Sequence, residues 1–410
     1  MSESVHQHRL LSRLLFTALA AMLSLSAHAI VRCELNGKSV NPNNGNETAG
    51  LTGMLRCKDE NTGKLQREEE LRDGKNIGIQ RFFDRDGNIS KERTVNERGN
   101  TQGLDKQFWP NGKLKSEESA DNGQTQGVTR QFHESGSIRR IAFVQNREEV
   151  LEMAFNPDGS YNDLRCATSS LVAEDRKACG FAGKSDIVLS NAAGKRRGLQ
   201  TWEQGKLLVY VSYRDDGSVE RDMRFEQGQR QHRSYYGSAD TSHADGKPQL
   251  REERVYEAGD QTLRATQGPL LSHKQWGSSG QLTLHARYNA GRLSSTERWF
   301  LNGARKEKSS MTGSDSTTRT LRESYTDDGK LYSRETLDAD NAPVGLRQFF
   351  HPNGKLARED NYAQATNRGR ARLISRKEWD ESGQLTADDE LLEDGSRKRK
   401  LGVTLSEPVR

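Results

Sequence analysis

One spacing recurs along this chain and restricts its fold more than any other feature. An aromatic residue is followed four positions later by Gly, and two positions after that by an apolar residue. Phe83, Gly87 and Ile89 form one copy, Phe108, Gly112 and Leu114 the next, and Phe132, Gly136 and Ile138 a third. Further copies begin at Phe155, Tyr213, Trp276, Tyr325, Phe350 and Trp379, with a weaker one at Trp299, Asn302 and Gly303. The period is roughly 24 residues where it is regular. A two-residue hairpin loop would leave the aromatic out of register. A three-residue loop ending in a left-handed Gly pairs Gly−4 with Gly+2, which predicts a type I turn with a G1 bulge. The aromatic then faces the apolar residue across the hairpin.

A second set of glycines alternates with the first: Gly74, Gly99, Gly123, Gly205, Gly228, Gly259, Gly291 and Gly395. An apolar residue usually sits three before them, as Leu71, Trp202, Phe225, Tyr256, Tyr288 and Leu392 do. That offset predicts two-residue loops on the opposite edge of a meandering antiparallel sheet. The fold expected is all-β: an elongated, curved antiparallel β-sheet of repeated hairpins, with small disulfide-stapled N-terminal and central segments. A chain with only 32% hydrophobic and 30% charged residues would otherwise read as disordered. Regular aromatic spacing argues against disorder, and a thin repeat sheet needs only a modest apolar face. The aromatic stripe itself is expected to be the core.

The pattern resembles the MORN-variant repeat, typified by the bacterial YwqK-type antitoxin proteins. Residues 103–114 (GLDKQFWPNGKL), followed by Glu117, fit the unit of that family nearly throughout. Residues 345–356 (GLRQFFHPNGKL), followed by Glu359, fit equally well. The resemblance covers roughly residues 50–160 and 195–395. It implies a repeat sheet and an antitoxin-like binding role, and it is more specific for architecture than for function.

Six segments break the repeat ahead of a short C-terminal tail. Residues 1–29 read as a secretory signal peptide, with an apolar core from Leu14 to Leu25 and Ala27-His28-Ala29 as the cleavage site. Residues 30–73 form an N-terminal cap, with turn signals at Asn36-Gly37 and Asn44-Gly45. A first array spans 74–165, and a second spans 184–400 before a tail at 401–410. Between the arrays, 166–183 reads as a short helix over 171–178, with Ser170 as its N-cap. Polar insertions at 237–249, 309–318 and 363–370 read as exposed loops, where partner contacts are expected.

The four cysteines follow the signal segment. Cys33–Cys57 and Cys166–Cys179 are the favoured disulfides among three pairings, because short loops close at the lowest entropic cost. A Cys₄ zinc site is disfavoured, since the spacings differ from those of zinc knuckles. No cofactor or metal is expected. The six histidines after residue 29 lack metal-ligand spacing, and neither a nucleophile elbow nor a P-loop is present. Glu92, Glu117 and Glu359 each lie five after a turn Gly and are read as facing Lys or Arg neighbours.

Positive and negative residues are interspersed, with a net charge of +5, and no nucleic-acid module is recognisable. The run Arg397-Lys398-Arg399-Lys400 reads as solvated, with weak contact to an anionic membrane surface as the alternative. The function expected is that of a periplasmic immunity protein, not an enzyme, monomeric alone, which binds a protein toxin encoded nearby. An envelope lipase or phospholipase is the toxin type the family suggests. A structural or lipid-surface scaffold of the envelope is the alternative.

Overall fold

The computed structural model describes residues 31–237, 248–259, 261, 268–363 and 371–402. The signal segment, most of the insertions at 237–249 and 363–370, and the last eight residues lie outside the described residues. The described residues form an all-β protein of 29 strands, linked almost throughout as antiparallel hairpins. The chain divides into two compact units, Met1–Gly159 and Ser160–Arg410.

In the first unit, strand Val31–Leu35 lies between the two-residue strand Lys38–Ser39 and strand Gly53–Asp59. So short an edge strand offers little template for pairing with another chain. Asn36-Gly37 makes the first turn, with both residues at positive φ. Asn44 caps a four-residue helix, Gly45–Thr48. From Gly53–Asp59 onward each strand pairs with the next, ending at Glu148–Phe155. Cys33 and Cys57 are direct cross-strand partners and are bridged. They pack with Leu35, Leu55 and Leu71 in a small apolar core.

The second unit opens with strand Tyr161–Arg165, which makes one parallel pairing, Tyr161 with Leu189. The Cys166–Cys179 disulfide follows. The helix here is shorter than the composition suggests, running only from Asp175 to Ala178, and Ser170 is not its cap. The Asp175 carboxylate is fully buried and accepts hydrogen bonds from Ser170 Oγ (2.6 Å) and Leu171 N (2.7 Å). Residues 171–174 therefore wrap around a side chain instead of coiling. This segment seats on the turn at Gln204-Gly205, where Gly205 N donates to Cys179 O and Gln204 N to Gly180 O. After the disulfide segment, a sequentially paired meander begins that runs from Ser185–Ser190 to Arg397–Leu401 among the described residues.

The turn geometry follows the spacing in most places. Phe83 pairs with Ile89, Phe108 with Leu114, Phe132 with Ile138 and Tyr213 with Val219. Trp276, Tyr325, Phe350 and Trp379 pair with Leu282, Leu331, Leu356 and Leu385 in the same way. In the second set, Gly74, Gly123, Gly205, Gly228 and Gly291 close two-residue loops. Gly99 and Gly395 do not: Val95 pairs with Thr101 and Leu391 with Arg397, so both turns are of the three-residue kind. Side-chain acceptors explain the difference. Asn96 Oδ1 takes the N–H groups of Arg98 and Asn100, and Asp394 Oδ1 that of Ser396. The segment 309–318 is also less of a loop than its composition suggests. Strand Arg305–Thr312 runs through its first part, with Ser309 buried, and only 313–318 form the connection.

The interior differs from expectation. The repeat aromatics are half-buried, from Phe83 to Trp379, because they sit beside the turns at the sheet margin. The middle of each strand lies deeper, and much of what it buries is polar. In the first unit Glu69, Gln80 and Thr129 are buried, and in the second Gln200, Glu335, Asp360, Arg376 and Asp389.

Candidate functional site

The repeat's own polar residues are used in stitching turns together. Asn111 Nδ2 donates to Glu134 O at 3.0 Å, and Lys113 Nζ to Ser135 O at 2.7 Å. Asn353 and Lys355 repeat the arrangement on Glu381 O and Ser382 O, at 2.8 and 2.7 Å. The residue after the aromatic has a role as well. Trp109 Nε1 donates to Phe132 O, while the His133 and His351 rings meet Phe155 O and Trp379 O. These bonds tie each turn to the next one along the sheet.

Mid-strand residues form rows of directly opposed side chains. One row of the first unit reads Glu34, Arg56, Glu68, Arg81, Glu92, Lys106, Glu117 and Arg130, alternating in sign at every strand. The expected pairing of Glu92 and Glu117 with basic neighbours appears at Arg81–Glu92 (2.7 Å) and Arg130–Glu117 (3.5 Å). Glu359 faces Lys377 on one neighbouring strand and accepts a hydrogen bond from Gln348 on the other. Opposite charges on facing strands stabilise by modest amounts each and fix register.

In the second unit the row Tyr210, Met223, His232, Arg254, His273 crosses five strands on one face. There the alternation lapses, and the sheet holds a hollow of about 590 Å³. Its wall includes six arginines, Arg214, Arg221, Arg230, Arg233, Arg251 and Arg254, against Glu220, Asp222 and Glu252. Arg230 is buried, with its Nε against Met223 Sδ at 3.2 Å and its guanidinium over the Phe225 ring. Burial also holds its pKa below the usual arginine value. His232 packs edge-on to Tyr256, and its Nε2 is buried without a hydrogen-bond partner. Burial first, then the charges of Arg230 and Arg254, push the His232 pKa down to about 4. Burial works against the Glu252 charge, but His273 and Arg254, each 2.7 Å away, outweigh it and lower its pKa. Buried Asp222 accepts from Tyr235 Oη at 2.6 Å. Burial and that bond raise the Tyr235 pKa.

Sequence reading did not find this hollow. Its arginines come from three consecutive hairpins with no shared motif, and only the strand register assembles them. Both disulfides occupy the positions expected of Cys33, Cys57, Cys166 and Cys179. Among the described residues, no group of three or more His, Cys, Asp or Glu side chains is arranged to hold a metal ion. No helix of the described residues is long and apolar enough to cross a membrane.

No curated protein matches the chain. Solved structures do match, at low identity. One is the crystal structure of TcdB2-TccC3-TEV, with 10% identity, a TM-score of 0.18, and coverage of 88% of this chain and 22% of that one. Another is the Photorhabdus luminescens Tc holotoxin pore with a mutated TccC3, at 9% identity and a TM-score of 0.18, covering 83% and 23%. A putative 6-phosphogluconolactonase from Bacteroides fragilis NCTC 9343 has 12% identity and a TM-score of 0.10, covering 88% and 94%. The chain thus spans under a quarter of the first two structures, and TM-scores this low carry no argument. The family described as MORN repeat variant matches residues 102–122 and 343–364, the two segments in which Asn and Lys stitch neighbouring turns. The chain is accordingly one that carries the MORN repeat variant.

Proposed function

We propose that this protein is an exported immunity protein that binds an envelope-acting toxin and blocks it by occlusion. The observation that supports the reading best is the division of labour within the repeat. Turn Asn, Lys and Gly residues are consumed in holding neighbouring hairpins together, which leaves recognition to the open sheet face and the connecting segments. A regular sheet of this kind is a preorganised surface, which lowers the ordering cost of binding. The signal-like residues 1–29 and two disulfides suit an oxidising compartment, in keeping with a periplasmic target. A lipase or phospholipase is the toxin class that the YwqK-type resemblance suggests. The scaffold alternative draws on the basic edge strand Arg397–Leu401, which suits an anionic surface.

The test is growth of cells that express the product of a neighbouring gene in the periplasm, with and without this protein. Protection that is lost when residues 313–318 are replaced by a short Gly-Ser link, with folding retained, is the expected result. Absence of protection while the protein is present and folded removes the immunity reading and leaves the scaffold. N-terminal sequencing of periplasmic extract should find the mature chain beginning near Ile30.

A further inference from the structure

We propose that the arginine-lined hollow of the second unit binds a phosphate monoester, with the oxyanion seated between Arg230 and Arg254. Neither the immunity reading nor the scaffold reading is needed for this. Three observations point to it. The first is the sign of the wall, whose lining residues include six arginines and three acidic residues, with Arg254 paired to Glu252 and Arg233 to Glu253 outside the hollow. Guanidinium forks match the geometry of phosphate oxygens and bind them in pairs.

The second is preorganisation. Arg230 is only 7% exposed and is fixed by Met223 and the Phe225 ring, so its charge is placed before any ligand arrives. Arg254 lies two strands' width along the same row as Met223, through His232. Burial is the first cause that holds the His232 pKa down, and charge is the second. The charges that act on it there are those of Arg230 and Arg254, and both disfavour a further proton.

The third is room. A hollow of about 590 Å³ exceeds what bare phosphate needs and falls within the range of small-ligand sites. A neighbouring hollow of about 520 Å³ shares Arg251, Glu252 and Arg254 with it. Tyr236 and Trp276 wall part of that second, mostly polar space, which leaves room for the esterified group beside the charged seat.

Calorimetric titration of the full-length, oxidised protein at low salt tests the proposal, with inorganic phosphate and glycerol 3-phosphate as probes. Both should bind saturably, the ester more tightly. R254Q should weaken binding at least about tenfold, as expected for losing a charge-assisted hydrogen bond, and R251Q/R254Q further. R254K, which keeps charge but not the fork, should fall between. R305Q, outside the hollow, should bind as the parent does. Circular dichroism establishes that each variant is folded. Co-sedimentation with phosphatidic acid vesicles, but not phosphatidylcholine vesicles, in an Arg254-dependent way would identify a lipid headgroup as the source. Binding of the soluble ester alone would identify a free phosphoester, and either result upholds the site. No saturable binding of either probe, or unchanged affinity in folded R251Q/R254Q and R254K, overturns it.

Discussion

Arg376 grips Asp360 through two hydrogen bonds, Nε to Oδ1 at 2.6 Å and Nη2 to Oδ2 at 3.0 Å, with the two side chains 3% and 1% exposed. The pair is the centre of a row of directly opposed residues: Arg322, Glu335, Arg347, Asp360, Arg376, Asp389 and Arg399. Much of what would be apolar core in another fold is here a ladder of ion pairs. Such a ladder specifies register, because sliding any strand by one residue removes its charge from the row.

The energetic consequence is asymmetric. Removing one partner strands a buried charge, and Asp360→Ala should destabilise by about 3–5 kcal/mol. Replacing both partners with apolar residues of similar volume, as in D360L/R376M, should recover most of that loss. Urea denaturation followed by circular dichroism measures both. If the double variant is as unstable as the single one, the row owes its worth to something other than compensated charge.

His232 should make stability fall with acid. Its folded pKa lies near 4, below the ordinary 6.5, so the unfolded chain binds the proton first. The contribution is complete above about pH 6.5 and is lost as pH falls towards 4, amounting to about 3 kcal/mol at most. His232→Phe should flatten the pH dependence of the urea midpoint between pH 7 and 5 without altering it above 7. An equal acid sensitivity in that variant would place the effect elsewhere.

Much of this fold was written in the sequence at the turns, because loop length and Gly position together fix which residues face each other. The pairs Phe108 with Leu114 and Trp379 with Leu385 follow from spacing alone. Turns without Gly were not legible. Asn146-Arg147 forms a two-residue loop with both residues at positive φ, and Asn341 takes the left-handed position in another turn. The buried charge row was hidden for a different reason. Each member is an ordinary strand Arg, Glu or Asp, and its burial depends on partners about 13–16 residues away, such as Arg322 with Glu335 and Asp360 with Arg376. The arginine hollow needed the same long-range register.

Two glycines of similar φ should respond differently to a methyl group. Gly112 has φ +79 and open space around it, so Gly112→Ala meets only the left-handed backbone penalty, about 1–2 kcal/mol. Gly205 has φ +73, and an added Cβ would lie 2.2 Å from Ala167 O and 2.9 Å from the Phe181 ring. Gly205→Ala should cost roughly 1–3 kcal/mol more through overpacking. It should also loosen the disulfide segment from the hairpin, which faster proteolysis between Cys166 and Cys179 would reveal. Equal losses in the two variants would mean that the segment does not rest on this turn.

Burial ranks the aromatics in an order that repeat position does not. Phe108 belongs to the best copy of the repeat, yet it is half-buried, facing Leu114 beside a turn. Phe108→Ala should therefore cost about 1–2 kcal/mol, the worth of a cross-strand pair and a partly covered ring. Trp202, three before Gly205, is fully buried, and its Nε1 donates to the buried Gln200 Oε1 at 2.9 Å. Trp202→Ala should cost about 3–5 kcal/mol through cavity formation, with Gln200 left short of a donor. Trp202→Phe keeps most of the volume and isolates the hydrogen-bond part of the loss. Denaturation midpoints of the three variants order these effects. A Phe108→Ala loss as large as that of Trp202→Ala would return the core to the repeat aromatics.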